Sequence, residues 1–472
     1  MRRFMIIAVV FTFSLSRAAF ADGLILSFKV DSLMTPAPNS VTSQNGTTQK
    51  ALVQEMHRNA KVYLYPDVMI FDNGDSGQQR FDFTAKEQSR YDTAKKTFFS
   101  TPLAAQPIFL AREKFNRLQM QAMLDAALVG KVAPDKDLAA LDLDMAFGAA
   151  NDRSLSPLPA PVVTGDKATY ALNGKPVFDI TYSATVVPEA LKNAYARFLT
   201  YGPTLHPLLE KALAENGHVP AALHSTVREM NGETSSSWTL EKAEPVSGDA
   251  PASPLGYVQS FTGNDNVDAA MRKGLSDPAP TIEGADARMQ GYLDSHDLTR
   301  AALAASQMTL ELGGESVKQS KVFGPAMRAA AADPAARLLF TAIARPPQTP
   351  EELKQIETVF ETARKAAPDF GFLLDVFHAN HLRALYGRKR VLDAADGVVL
   401  NQASVALAQA VIADPQLVGA YCDLATGYFN NYEIPTAFAI LGQAARMRPA
   451  YPAVADFVNM KARAEKDFPE YF

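Results

Sequence analysis

The chain has 472 residues, of which 47% are hydrophobic and 21% are charged, a composition typical of globular proteins. The formal net charge of −5 argues against nucleic acid and anionic membrane surfaces as main partners. The single cysteine, Cys422, excludes an intramolecular disulfide, so that stability must come from the core.

Residues 1–21 have the pattern of a cleavable export signal. A positive start at Arg2 is followed by an apolar run from Phe4 to Leu15, and Ala19 and Ala21 are small residues where a signal peptidase requires them. That run is too short for a membrane-spanning helix, and no later stretch reaches about 18 apolar residues. We expect cleavage after Ala21 and a periplasmic or secreted mature protein without a transmembrane segment.

A second short pattern is the tetrapeptide Gly-Asp-Ser-Gly around Ser76, which resembles the nucleophile motif of trypsin-like serine proteases. In that family further glycine follows, whereas Gln78 and Gln79 follow here. The nearest preceding histidine, His57, is also too close in the chain for the family's architecture. Because these residue types are common turn formers, the pattern favours the tip of a β-hairpin.

Asn-Gly pairs, which favour the positive φ angles of tight turns, divide the first half into strand-like runs. The hairpin around Asn173 is one example. A two-residue turn at Asn231 would pair Leu223 with Leu240 and Ser225 with Trp238. Apolar and polar residues alternate on both strands, which predicts a half-buried antiparallel sheet over residues 22–245.

Two helical patterns, over residues 104–129 and 189–215, interrupt this β-rich domain. The order of strand pairs and helices resembles the lipoprotein-carrier family and its relatives. That resemblance implies a curved antiparallel half-barrel, with a concave apolar face that is covered by helices and can hold a lipid chain. The candidate residues for contacting such an apolar ligand are Phe81, Phe83, Phe178, Leu223, Val227, Trp238 and Leu240. The alternative is that the two helices cover this apolar face completely, so that it belongs to the hydrophobic core and leaves no cavity for a ligand.

A Pro/Gly-rich stretch over residues 246–289 has the composition of a linker, and residues 290–472 have a helical pattern throughout. Eight residues in the last part match the 34-residue signature of the tetratricopeptide family. These residues are Tyr421, Leu424, Ala425, Tyr428, Ala437, Leu441, Ala444 and Pro449. The resemblance implies stacked helical hairpins and a surface that binds a protein or peptide partner.

Other polar groups are weaker candidates for a site. Three-residue spacing of Asp375, His378 and His381 on one helix could place metal ligands together, but packed imidazoles explain the pattern more simply. His206, next to Pro207, is typical of an exposed hinge between helices. The sequence contains neither a serine in a nucleophile elbow nor a glycine-rich loop after a strand. It therefore predicts no catalytic residue, metal or cofactor.

These patterns together predict an α+β protein, with an N-terminal antiparallel sheet followed by an α-helical, tetratricopeptide-like domain. The function they favour is that of an exported, non-enzymatic binding or adaptor protein. Its helical repeats would bind a protein partner, and its sheet could hold an apolar ligand. The alternative is an exported hydrolase whose site residues converge from both halves, since such groups meet in space and not in sequence.

Overall fold

The computed structural model describes residues 22–36, 41–44, 47–50, 52–74, 77–127, 135–148, 155–229, 232–387 and 394–472. The predicted export signal and Ser76 lie outside these residues. The fold is α+β, as predicted, with antiparallel strands in the N-terminal part and helices after them.

The strands are β1 Gly23–Pro36, β2 Val41–Gln44, β3 Thr47–Lys50, β4 Gln54–Leu64, β5 Val68–Asp72, β6 Gln78–Asp82, β7 Glu87–Asp92, β8 Thr97–Pro102, β9 Val162–Thr164, β10 Lys167–Leu172, β11 Lys175–Val186, β12 His218–Glu229, β13 Gly232–Val246 and β14 Val258–Ser260. The helices are α1 Ala105–Ala127, α2 Lys136–Ala146, α3 Lys192–Tyr201, α4 Pro207–Asn216, α5 Asp265–Ser276, α6 Ile282–Asp294, α7 Leu298–Leu312, α8 Gly314–Gln319, α9 Phe323–Ala332, α10 Pro334–Ala344, α11 Pro350–Ala366, α12 Gly371–Tyr386, α13 Ala394–Ala413, α14 Val418–Asn430, α15 Ile434–Met447 and α16 Pro452–Asp467.

The chain divides into two compact units. The sheet unit comprises Met1–Gly74, Pro159–Pro203 and Leu209–Ser253, and the helical unit comprises Asp75–Leu158, Thr204–Leu208 and Pro254–Phe472. Strands of the sheet unit follow the order β5-β4-β1-β13-β12-β11-β10-β9. The β10–β11 hairpin turns at Asn173 and Gly174, whose φ angles of 52° and 78° confirm the Asn-Gly turn predicted there.

The register of the β12–β13 hairpin differs from the predicted one. Leu223 pairs with Trp238 and not with Leu240, because Gly232 itself joins the ladder opposite Glu229. The two residues between them, 230 and 231, lie outside the described residues. Since side chains alternate with a period of two, a shift of two residues leaves every side chain on its predicted face.

One face of this sheet, which we call the inner face, packs on helix α3. Leu26, Phe28 and Val30 of β1 point to it and are buried. The helical pattern over 189–215 forms two helices, α3 and α4, separated by residues 202–206. The break in the helix at this point was predicted. The prediction that His206 lies in an exposed hinge was wrong, because His206 is fully buried.

The helical unit contains four short strands in the order β14-β8-β7-β6 as well as most of the helices. Ala104 and Ala105, at the start of α1, pack in one apolar cluster with Ile434, Phe438 and Phe457. The segment predicted as a linker contains β14, α5 and the first part of α6. The proposed domain boundaries stay a prediction.

Helices α13, α14 and α15 share a second apolar cluster, which also includes the buried Cys422. Within the described residues, the segment Ala395–Ala413 is the one helix long and apolar enough to cross a membrane by length and composition, a test that core helices also pass. Its residues Ala403, Leu407 and Ala410 are fully buried in this cluster.

Candidate functional site

Four polar side chains from four segments of the helical unit meet in its interior. Lys114 comes from α1, Asp144 from α2, Ser156 from the segment after α2, and His206 from the segment before α4. Lys114, Asp144 and His206 are 7%, 2% and 0% exposed, and Ser156 is half-buried. We call this group the Asp144 cluster.

Asp144 is the centre of the cluster. Its Oδ1 accepts a hydrogen bond from Lys114 Nζ at 2.5 Å, and its Oδ2 accepts from both the backbone N–H and the Oγ–H of Ser156 at 2.6 Å. Burial opposes the charged carboxylate, but hydrogen bonds from His206, Lys114 and Ser156 outweigh it and hold the pKa of Asp144 well below its usual range. The carboxylate is therefore ionised at neutral pH.

The orientation of His206 follows from its backbone neighbour. The N–H of Leu208 donates to Nδ1 at 3.2 Å, so Nδ1 carries a lone pair and the proton of the neutral ring lies on Nε2. Nε2 is 3.3 Å from Ser156 Oγ and 3.6 Å from Asp144 Oδ2. The ring therefore donates toward these two oxygens.

A serine, a histidine and a carboxylate thus lie together, but in an order unsuited to nucleophilic catalysis. An activated serine gives its proton to a histidine nitrogen that the carboxylate has oriented from the other side. Here Ser156 donates directly to Asp144, and the His206 nitrogen that faces Ser156 already carries a proton. All three residues also lie within residues 22–245, and not in both predicted halves. The cluster has the chemistry of a closed structural ion pair.

The predicted apolar-ligand residues are divided between the two units. Phe178, Leu223, Val227 and Trp238 lie buried in the sheet unit, where Leu240 is half-buried. Phe81 and Phe83 belong to the helical unit, where both are buried and their rings stack at 6.4 Å. Whether any of them contacts a ligand stays a prediction.

The inner face around Trp238 is tightly packed. Phe198 of α3 lies 5.5 Å from Phe28 and 6.0 Å from Trp238, measured between ring centroids. A cavity of about 10 Å³ remains there, lined by these three rings together with Leu199, Pro203, Pro220 and Leu223. That space corresponds to about one water molecule, so the part of the face beneath α3 is a core without room for an acyl chain.

The helical unit carries a larger open groove, of about 600 Å³, lined by β7, β8, the β14 segment and the start of α15. Tyr91 and Phe98 stack there with centroids 5.7 Å apart. Arg90, Thr262 and Thr436 add a charge and hydroxyl groups to the lining. Apolar rings with a few polar groups in a space of this size are typical of ligand sites.

The three polar residues of α12 do not converge. Asp375 accepts from Arg364 at 2.5 Å, and His378 lies 2.9 Å from Glu357. His381 is buried with Nε2 2.6 Å from the carbonyl oxygen of Ala342, and burial lowers its pKa. No group of three metal-ligating side chains occurs among the described residues.

The eight repeat-signature residues lie on the helical hairpin α14–α15 or directly after it. Five of them are buried where the two helices pack on each other, namely Tyr421, Leu424, Ala425, Ala437 and Ala444. Tyr428 and Leu441 pack on the same cluster, and Pro449 follows α15. A packed helical hairpin is therefore present, while membership of the tetratricopeptide family stays a prediction.

Sequence reasoning missed Lys114, Asp144 and Ser156, because no local pattern joins residues this far apart in the chain. It also missed Arg58, for which a signal existed. Along β4, Met56, Arg58 and Ala60 alternate with polar residues, so that Arg58 falls on the apolar face of its strand.

Comparisons with known proteins add little. No protein-family profile and no curated protein sequence matches the chain. Among solved structures, the chain is similar to one titled "Lipid-protein interactions in lipovitellin", with 10% identity and a TM-score of 0.19. The match covers 95% of this chain and 56% of that one. A TM-score of this size does not establish a common fold, and no functional conclusion follows from it.

Proposed function

We propose that this is an exported, non-enzymatic binding or adaptor protein whose helical unit binds a peptide segment of a protein partner. The observation that carries the proposal is the groove of about 600 Å³ in the helical unit, which combines stacked aromatic rings with hydroxyl groups and one guanidinium. The packed α14–α15 hairpin, interpreted as a tetratricopeptide-like repeat, adds support, since such arrays generally hold peptides.

A peptide suits the lining of this groove. Phe98, which stacks on the buried Tyr91, offers an apolar face for a side chain. Thr436 can both donate to and accept from main-chain amides, whereas the Thr262 hydroxyl is already bonded to Asp268 and to the N–H of Asn264. The groove lies beside β14, a strand of three residues at the end of the sheet order, parallel to β8. Arg90 and Asp92 supply one charge of each sign, so that neither sign of ligand charge is excluded.

The groove can be tested by filling it. Ala94 lines it from the exposed turn between β7 and β8, and Ala85 lies in the equivalent exposed turn between β6 and β7, outside the lining. Peptides would be selected from a random display library on the mature protein. We expect Ala94→Phe to weaken their binding by about tenfold or more, which is about 1.4 kcal/mol. Ala85→Phe should bind as the wild type does. Failure to enrich any peptide, or equal binding by both variants, would overturn the proposal.

The alternative, an exported hydrolase, has one specific observation behind it, the proximity of Ser156, His206 and Asp144. The test is reaction of the mature protein with a fluorophosphonate probe, together with an esterase, peptidase and glycosidase screen. We expect no labelling at Ser156, because its proton is held by Asp144. Turnover that disappears in Ser156→Ala would establish the hydrolase and end the adaptor proposal.

Export is proposed from residues 1–21 alone. Expression of the full chain in a Gram-negative host, followed by mass spectrometry of the periplasmic fraction, should find a mature chain that begins at Asp22. A cytoplasmic chain that retains Met1 would contradict the proposal.

A further inference from the structure

Arg58 of the sheet unit is a cation that has no counterion among the residues the structure describes. Its guanidinium lies over the ring of Trp238, 6.0 Å from the centroid, and its Nε is buried without a hydrogen-bond partner. Within the part of the chain that the structure describes, no carboxylate forms an ion pair with it. A guanidinium stays charged at all physiological pH values, so burying part of it without a partner is costly.

The register of the sheet places Arg58 on the inner face. Val30 of β1 pairs with Arg58 on one side and with Trp238 on the other, so these three side chains form one row. The next row toward the strand ends consists of Met56, Ser32 and Ser236. Paired residues of antiparallel strands point to the same side, so both rows belong to one continuous surface.

This surface changes from covered to open at Arg58. Phe28 and Val30 are buried, whereas Met56 is 58% exposed and Met34, one row further on, is 41% exposed. Ser32 lies beside both methionines and Ser236 lies next to Ser32 on β13; both serines are half-exposed, and their side chains are small. We call Arg58, Met56, Met34, Ser32 and Ser236 the open end of the inner face.

We propose that the open end of the inner face binds an anionic amphiphile, with its carboxylate or phosphate on Arg58 and its apolar chain along Met56 and Met34. A half-exposed guanidinium that forms no ion pair with any described residue favours an anion, for which its planar set of donors is well suited. The exposed methionines require an apolar group, and their flexible thioethers adapt to chains of varied shape. One ligand that carries both groups satisfies both requirements. This site is separate from the peptide groove and does not depend on it.

The site accepts a chain without the enclosed cavity that the resemblance to lipid carriers implied. The space beneath α3 holds about one water molecule, so the chain would lie along the surface and not enter the core. Trp238 contacts Arg58 and also lines that cavity, so an anion that binds the guanidinium must alter the surroundings of the indole.

Trp238 is the only tryptophan of the chain, so its emission reports on this site directly. The mature protein would be titrated with decanoate, decyl phosphate, decanol, acetate and inorganic phosphate. We expect saturable emission changes with decanoate and decyl phosphate, and binding of decanol that is weaker by about tenfold or more. Their relative affinities distinguish a fatty-acid headgroup from a phosphate headgroup. Acetate and inorganic phosphate should not compete at the concentrations where the amphiphiles saturate.

Two variants should weaken both anionic amphiphiles by about tenfold or more and leave decanol unchanged. Arg58→Gln removes the charge, and Met56→Asp places a carboxylate beside Arg58 at an exposed position. The matched control is Arg228→Gln, since Arg228 lies on the opposite face of β12, bonded to Glu233 and to the carbonyl of Pro176. Equal binding of decanoate and decanol, wild-type affinity in Arg58→Gln, or competition by inorganic phosphate alone would overturn the proposal. So would an equal loss in Arg228→Gln.

Discussion

The two units hold their interior cations in opposite ways. In the helical unit, Lys114 is 7% exposed and lies 2.5 Å from Asp144, whose other oxygen is bonded to Ser156. In the sheet unit, Arg58 is only half-buried, and within the described ranges it has the indole of Trp238 beside it and no ion-pair partner. One charge is enclosed and fully compensated, and the other is partly open and uncompensated.

This difference separates a structural polar group from a binding group. A buried ion pair whose members are bonded to each other and closed off from solvent is not accessible to a ligand. Arg58 is only half-buried and forms no ion pair among the described residues, so its guanidinium retains hydrogen-bonding capacity for a ligand. The proximity of a serine, a histidine and an aspartate is thus less informative about function than one arginine without a partner.

The largest effect should come from breaking the Asp144 cluster. Asp144→Ala leaves the buried Lys114 ammonium uncompensated, and we expect the helical unit to lose about 3–5 kcal/mol of unfolding free energy. Guanidinium denaturation followed by circular dichroism measures it. Glu315→Ala, which breaks an exposed pair with Lys318, is the control and should have no measurable effect. A loss in Asp144→Ala no larger than in this control would show that the cluster does not stabilise the unit.

Acid should produce part of the same loss in the wild type. The pKa of Asp144 is lower in the folded protein than in the unfolded chain, where it is about 4. The stabilisation is therefore complete above about pH 4 and is lost as pH falls through the folded pKa, by up to about 1.4 kcal/mol per pH unit. Asp144→Asn should flatten the dependence of stability on pH between about 5 and 3. Parallel curves for the two proteins would contradict this assignment.

A smaller effect is expected from Ser156→Ala. The variant loses the hydroxyl that donates to Asp144 but keeps the backbone N–H on the same oxygen, so we expect a loss of about 1.5 kcal/mol. Ser89→Ala removes a comparable serine, which bonds Ser100 at 3.3 Å on a half-exposed strand pair, and should cost less than about 0.5 kcal/mol. Denaturation curves of the two variants give the comparison, and equal losses would count against the special role of Asp144.

The smallest effect should belong to Arg58→Met. The substitution removes a buried Nε without a partner and retains the apolar stem over Trp238, so we expect stability to change by less than about 0.5 kcal/mol or to rise slightly. Thermal unfolding with and without decanoate checks it. A loss above about 2 kcal/mol in the absence of ligand would mean that Arg58 is structural, contrary to the comparison of the two cations.

Local patterns explain which parts of the structure were predictable. Alternation along β12 and β13 predicted which of their side chains lie on the buried face, and Asn173-Gly174 predicted a hairpin, because both depend on neighbouring residues. The helical hairpin of α14 and α15 was predictable from its repeating small and apolar residues. Each of these signals lies within one or two elements.

Features that depend on distant segments were not predictable. The Asp144 cluster joins residues 114, 144, 156 and 206, and neither spacing nor period connects them. His206 was predicted to be exposed because it precedes a proline, yet tertiary packing buries it. The register of β12 and β13 differed by two residues, since a turn motif alone does not fix which residue closes the loop.

The burial of Cys422 has a practical consequence. Burial raises the pKa of its thiol to about 12, so that the group is a thiol and not a thiolate at neutral pH. Alkylating reagents and disulfide exchange both act on the thiolate, so the native protein should be inert to them and should purify without reducing agents. The protein is therefore well suited to site-directed labelling at an introduced cysteine. A cysteine introduced at Ala94 or Met56 would accept a fluorophore or a crosslinker selectively, with no need to replace Cys422.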